Sequence, residues 1–395
     1  MITKEEALLN KQRIQQEAED AWYNSGCLGT LEMATGVGKS KIALNCIQRM
    51  RTVKPNTSVL LVTPTERMRD IDWPEEARKW EISLDDVKIV CQASLSKQKL
   101  DKYGMIVLDE YHNCGTAILN KLRDVIEDRR ISVLGLTATL PSKAKWENEE
   151  ERVGLLRTVV PSIYKITTDE AVDLGLVADF EVQVLKFRFD SINKNIITGG
   201  AKQKWSTTEA SHYIYLTKEL QKAMYSKNEG LKFMKMGQRT NFIYDLPSKY
   251  RLAKACLDKL EGRTLVMCGS IKQANLLLGD NVYHSESTNE NLIKFQEGTL
   301  DRLGAVKALD EGVNLGRVDN LLIQQVQSTD RRLIQRCGRV LRIDYDNMGK
   351  KARIIILVAV DATGTSCDDK WLNEAIKDFD SKRISYHNVT VPNES

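Results

Sequence analysis

No apolar run in this chain approaches the roughly 20 residues that a membrane-spanning helix requires, and its first residues, MITKEEALLNKQ, are charged where a secretion signal would be apolar. The expectation is a soluble cytoplasmic protein of a bacterial or phage-infected cell, with no membrane partner. Cysteine is sparse and unpatterned: the eight residues Cys27, Cys46, Cys91, Cys114, Cys256, Cys268, Cys337 and Cys367 never form a C-x-x-C pair. That spacing argues against a disulfide framework and against a zinc ribbon, leaving buried thiols in a reducing compartment. Histidine is scarcer still, four residues too dispersed to suggest a metal centre. Low-complexity tracts and strict internal repeats are also missing.

What the chain does have is ordinary globular material: 395 residues, 42% hydrophobic and 28% charged, a length that suits two or three domains. Its net charge of +4 is unevenly distributed. Between Lys186 and Arg251 thirteen Lys and Arg face five Asp and Glu, a local +8 that leaves −4 for the rest. Ten of the 25 aromatic residues share that stretch: Phe187, Phe189, Trp205, Tyr213, Tyr215, Tyr225, Phe233, Phe242, Tyr244 and Tyr250. Lysines neutralise phosphates and rings stack on unpaired bases, so the composition suits a nucleic-acid-binding element. It also suits an accessory segment whose rings simply pack. The Gly199-Gly200 turn in GGAKQKWSTTE is compatible with a hairpin, with Trp205 near its tip.

The apolar pattern alternates between short continuous runs and helical stretches. CLGTLEMA, SVLLVTP, VKIVCQ, GMIVLDE and RRISVLGLTATLP read as buried strands, and KIALNCIQRM places Ile42, Ala43, Leu44, Ile47 and Met50 on one helical face. Alternation restarts near Arg251 with RTLVMCGS, NVYHS, LGAVKALD, NLLIQQVQ and ARIIILVAV. Continuous apolar strands separated by helices indicate α/β architecture with parallel sheets covered on both faces.

Within the first alternation, MATGVGKS follows a strand and opens a helix. Glycines at 36 and 38 let backbone N–H groups from Thr35 through Ser40 converge on phosphate oxygens, Val37 included, while the helix N-terminus adds partial positive charge. Lys39 would reach the β- and γ-phosphates of ATP and the Ser40 hydroxyl would ligate Mg²⁺, although Met33 stands where the strict motif has its first glycine. A phosphate loop needs a carboxylate partner on a neighbouring strand. Asp-Glu occurs three times, at 109/110, 169/170 and 310/311, and only the first follows such an apolar strand. There Asp109 would hold Mg²⁺ through water and Glu110 would polarise the water attacking the γ-phosphate. Gln335, Arg339 and Arg342 are spaced four and three apart, so on a helix they share a face, and the guanidiniums would stabilise charge on the transferring phosphoryl group.

Together these segments resemble the superfamily 2 helicases of the DExH type. MATGVGKS resembles motif I, DEYH motif II, LTATLP motif III, LVMCGSIKQA motif IV, ALDEGVNL motif V and QRCGRVLR motif VI, in family order across residues 31 to 342. The loop sequences look most like small phage and bacterial DNA helicases related to restriction-enzyme motors and branch-migration helicases. That resemblance implies two RecA-like lobes, residues 1–168 and 169–395, with an accessory insert at about 186–251. It implies an ATP-dependent DNA helicase or translocase acting on single-stranded or branched DNA, monomeric or weakly associating, with an RNA helicase or a non-stepping nucleic-acid clamp as rivals. RIQQEA resembles the adenine-sensing Q motif and implicates Gln15, supported by Arg13. By the same resemblance His112, Thr137 and Thr139 would couple nucleotide state to nucleic-acid grip, and Gly312 and Asn314 would face the nucleotide cleft. Pro64, Thr65, Ser94, Gly269 and Ser270 would touch the sugar-phosphate backbone, while Trp205, singled out by the composition of the insert and not by the resemblance, would split or sense a junction.

Overall fold

The computed structural model describes residues 2–129, 131–141, 149–200, 203–306, 315, 318–325, 349–361, 372–373, 376 and 379–392. Chain contacts divide it into two compact units, one built mainly from residues up to Asp179 and the other beginning at Phe180. The division falls beyond residue 168, the expected boundary. The segment after it stays with the first unit, where Ala171, Leu176 and Val177 are buried and Asn10 Nδ2 donates to Leu174 O at 3.0 Å.

The first unit runs α1 (Lys4–Asn24), β1 (Leu28–Met33), α2 (Lys39–Val53), β2 (Val59–Thr63), α3 (Trp73–Lys79), β3 (Val87–Cys91), β4 (Met105–Leu108), α4 (Thr116–Arg129), β5 (Ser132–Thr137), α5 (Glu150–Thr158), β6 (Ser162–Ile166) and α6 (Thr168–Asp173). Its strands form one parallel sheet in the order β3-β2-β4-β5-β1-β6. VLLVT in β2 and MIVL in β4 are buried at every position, as the continuous apolar runs require of strands covered on both faces. Each such side chain contributes about 1.5–3 kcal/mol when fully buried. The helix α1 is started by a capping box in which Thr3 accepts from Glu6 N and Glu6 accepts from Thr3 N.

The second unit runs β7 (Asp179–Arg188), β8 (Ile196–Gly200), β9 (Gln203–Thr207), α7 (Glu209–Met224), α8 (Glu229–Tyr244), α9 (Pro247–Lys259), β10 (Thr264–Met267), α10 (Ile271–Leu278), β11 (Val282–Tyr283), α11 (Glu290–Glu297), β12 (Arg302–Ala305), β13 (Asn320–Ile323), β14 (Lys351–Val360) and β15 (Ile384–Asn388). Its sheet has the order β11-β12-β10-β13-β14-β7-β15. Two parallel-sheet α/β lobes are therefore present. The strands β7 and β15 extend the second sheet beyond the alternating set legible in the sequence, and they pair parallel to each other.

Residues 186–251 divide between packing and exposure. Phe187, Phe189, Tyr213 and Ile243 join Leu246, Leu252, Val266, Leu322 and Leu357 in the core of the second unit. Trp205, Tyr215, Tyr225 and Phe233 are exposed. The anticipated hairpin forms, with β8 antiparallel to β9. Trp205, however, pairs with Thr198 on the strand stem and does not sit at the tip, and its ring lies against Gly199, where a Cβ would approach the ring to 2.9 Å. The base of this insert is closed by Glu209, fully buried, whose carboxylate accepts from Asp190 N at 3.0 Å, Ser248 N at 2.8 Å and Asn195 Nδ2 at 3.4 Å.

Candidate nucleotide site

Three adjacent parallel strands end at the same edge of the first sheet. Register pairs Glu32 of β1 with Thr137 of β5, and Leu108 of β4 with Gly135 of β5, so the residues following Met33, Leu108 and Thr137 emerge side by side. Ligands bind at this carboxyl edge in open α/β sheets. Because β5 lies between β1 and β4, the LTAT segment separates the glycine loop's strand from the DEYH strand and can touch the latter directly.

Between β1 and α2, Gly36 and Gly38 adopt φ of +98° and +103°, and Gly38 is the N-cap of α2. Side chains rarely tolerate that backbone region. At Gly38 space also forbids one: a Cβ would lie 2.5 Å from Gln15 Nε2. Gln15 is buried on α1 and donates from Nε2 to Val37 O at 3.0 Å, so it braces the loop's backbone. Thr35, Lys39 and Ser40 are half-buried, Gly36 is exposed and Val37 is buried. The Lys39 ammonium folds back on its own loop, donating to Met33 O at 2.9 Å and Ala34 O at 3.4 Å. Burial lowers its pKa from the usual lysine value, with Glu110 and Asp109 opposing that shift through their charge.

At the end of β4 both oxygens of buried Asp109 receive donors: Glu110 N reaches Oδ1 at 3.0 Å and the Trp73 ring N–H reaches Oδ2 at 3.1 Å. Glu110 itself is left-handed, φ 49° and ψ 51°, a conformation non-glycine residues adopt infrequently. His112 Nδ1 lies 3.3 Å from Glu110 Oε2 and 2.8 Å from Thr137 Oγ1. Thr137 Oγ1 donates to Thr139 O at 3.0 Å and accepts from Thr139 N at 3.3 Å. A continuous polar path thus connects the carboxylate of DEYH to the LTAT turn, with Arg152 donating to His112 O and Cys114 O from behind. Among the described residues no group of three or more His, Cys, Asp and Glu could hold a metal by itself. The hydroxyl of Ser40 and the carboxylate of Asp109 are hard oxygen donors of the kind that share Mg²⁺ with phosphates, so the donor set fits that ion.

Of the remaining sequence-derived positions, Gln335, Arg339, Arg342, Gly312 and Asn314 lie outside the described residues. Pro64 and Thr65 follow β2, where Thr65 Oγ1 accepts from Met68 N at 3.3 Å, and Ser94 is half-buried in the helical turn Gln92–Lys97. In the second unit Ser270 caps α10, accepting from Gln273 N at 3.2 Å, while Gly269 N donates to Gln273 Oε1 at 2.9 Å. Thr65 Oγ1, Ser270 Oγ and Gly269 N are thus engaged in local hydrogen bonds. Arg13 is exposed and pairs with Glu17 at 3.0 Å. Trp73 was not singled out by sequence pattern, since nothing distinguishes an indole that donates to a carboxylate from one that only packs.

Residues 248–344 match the helicase conserved C-terminal domain. This part of the chain is a helicase domain. The glycine loop and the DEYH strand of the first unit carry the residue types that phosphate binding and hydrolysis use. Over 391 residues it is 22% identical to the DNA 3'-5' translocase XPB2 of Sulfurisphaera tokodaii, covering 89% of this chain and 81% of the relative. In fold it is similar to the ATP-dependent Type ISP restriction-modification enzyme LlaBIII bound to DNA, with TM-score 0.59 and 11% identity over 96% of this chain. The chain spans 31% of that enzyme's length. It is also similar to a putative HsdR subunit of a type I restriction enzyme from Vibrio vulnificus YJ016, with TM-score 0.57 and 17% identity, covering 95% of this chain and 68% of the other. Among the described residues no helix is long and apolar enough to cross a membrane.

Proposed function

We propose that this helicase is an ATP-driven DNA translocase whose nucleotide site is the edge formed by Thr35–Ser40, Asp109 and Glu110. The observation that carries the reading is the convergence of the left-handed glycine loop, the doubly held Asp109 and the Glu110–His112–Thr137 path at the ends of adjacent strands. Backbone amides of the loop would bind phosphate oxygens, and the Lys39 ammonium would exchange its two loop carbonyls for the β- and γ-phosphates. Ser40 and Asp109 would hold Mg²⁺, which supplies neutralising charge at the phosphates. Glu110 orients the attacking water and accepts its proton. Gln335, Arg339 and Arg342 are the proposed stabilisers of phosphoryl charge, and Gly312 and Asn314 further nucleotide contacts. His112 reports the state of Glu110 to Thr137 and Thr139 through hydrogen bonds that a change at Glu110 would disturb.

DNA as the track follows the names of the similar proteins, one a DNA translocase and one bound to DNA. Pro64, Thr65, Ser94, Gly269 and Ser270 are the proposed backbone contacts, and the exposed ring of Trp205 on the β8–β9 stem is a stacking surface for an unpaired base at a fork or junction. The test is steady-state ATP hydrolysis by wild type, Lys39→Ala and Glu110→Gln, alone and with single-stranded DNA, duplex, fork, four-way junction and RNA. Turnover stimulated by DNA, abolished in Lys39→Ala and poor in an ATP-binding Glu110→Gln, supports the reading. Stimulation by RNA exceeding that by DNA replaces the track, and turnover indifferent to every nucleic acid removes the motor.

A further inference from the structure

We propose that Trp73 is a positioning residue that aims Asp109 at the metal and ties it to the helical run beginning at Thr65. The proposal rests on the nucleotide-site reading above. Trp73 is 2% exposed, and its ring N–H takes one carboxylate oxygen of Asp109 while Glu110 N takes the other. With a donor on each oxygen the orientation of the carboxylate proposed to hold the cation is restrained. Packing alone requires a large apolar ring here but not a ring N–H, which is the group that reaches the carboxylate.

The helix behind Trp73 gives the contact a second consequence. Met68–Asp72 forms a π-helical turn directly before α3, and such turns change the direction that following side chains face. Thr65 starts this run, its hydroxyl accepting from Met68 N at 3.3 Å and its carbonyl from Arg69 N at 3.2 Å. At the far end of α3, Lys41 of α2 places Nζ 3.7 Å from the Trp80 ring centroid. One short helix therefore touches the carboxylate, the helix that follows the glycine loop and the turn proposed to meet DNA. A displacement of Thr65 by a bound strand would reach Asp109 through Trp73.

Trp22 provides a matched control. It is 1% exposed in the same unit, and its ring N–H donates to Val133 O at 3.0 Å, away from any carboxylate. Mn²⁺ affinity in the presence of ADP, read by electron paramagnetic resonance, is measured for wild type, Trp73→Phe and Trp22→Phe, together with ADP affinity without metal. Loss of a hydrogen bond to a charged group should weaken Mn²⁺ binding by about tenfold in Trp73→Phe, with metal-free ADP affinity unchanged and Trp22→Phe like wild type. Benzothienylalanine at position 73, which keeps the ring shape and removes the N–H, should show the same roughly tenfold loss and keeps the test decisive if Trp73→Phe folds poorly. Equal Mn²⁺ affinities for wild type and the position-73 variants would overturn the proposal, as would equal losses of Mn²⁺ and metal-free ADP binding. Failure of wild type to bind Mn²⁺ with ADP would instead overturn the nucleotide-site reading, and the proposal with it.

Discussion

Gly38→Ala perturbs the loop in two separable ways. The backbone at φ +103° and ψ 39° would carry a side chain in left-handed territory, which costs about 1–2 kcal/mol. The added Cβ would also sit 2.5 Å from Gln15 Nε2, so the amide must leave and its bond to Val37 O is lost, leaving buried polar groups unpaired at about 1–3 kcal/mol. Together the loop's conformation is disfavoured by about 2–5 kcal/mol, and at 1.4 kcal/mol per decade ATP affinity should fall by about 30-fold to about 3,000-fold. Titration of a fluorescent ATP analogue into wild type, Gly38→Ala, Gln15→Ala and the double variant checks this. Gln15→Ala removes the collision but not the backbone strain, so the double variant should bind better than Gly38→Ala and less well than Gln15→Ala. Gly38→Ala within threefold of wild type, or a double variant equal to the sum of the singles, would refute the reasoning.

Thr137→Val deletes the hydroxyl that meets His112 Nδ1, Thr139 N and Thr139 O, and should reduce DNA-stimulated turnover severalfold while ADP affinity, measured by calorimetry, stays unchanged. Glu209→Ala strips the acceptor from Asp190 N and Ser248 N and should destabilise the second unit by about 3 kcal/mol in urea denaturation, with nucleotide binding retained. Burial pushes the thiols of Cys114 and Cys268 up to about 12 and Cys256 up to about 11. Because burial disfavours the thiolate, these three should resist iodoacetamide at pH 8 and label fully in urea, as peptide mass mapping would show.

The glycine loop, the DEYH strand and the alternation of buried strands were legible because each is a local pattern: β-branched runs of four or five residues, then a turn residue at a fixed offset. The strand β7 was not, since DFEVQVLKFR alternates apolar with charged residues and resembles any half-exposed segment until β15, nearly 200 residues later, pairs with it. Composition announced a basic aromatic insert but could not sort its rings. Tyr213 and Phe187 pack while Tyr225 and Phe233 do not, a difference set by which helix or strand face meets the core. Gln15 was implicated as an adenine sensor by resemblance, yet its contact with Val37 O needs α1 and the loop to meet across 22 residues, which no spacing rule reveals. Trp205 was expected near a tip because it follows the Gly199-Gly200 turn closely, and antiparallel pairing with Thr198 puts it on the stem instead.

The Glu209 closure bears on how such a protein diversifies. By holding Asp190 N and Ser248 N with one carboxylate, it brings the two ends of a long excursion to a single point. Whatever lies distal to that knot can lengthen, shorten or be exchanged without the sheet registering the change, provided the side chains anchored in the core, Tyr213, Ile243 and Leu246 among them, are kept. The tip from about Glu219 to Lys235 is therefore a graftable cassette, a place where descendants of one motor can acquire different attachments while the engine beneath is inherited intact.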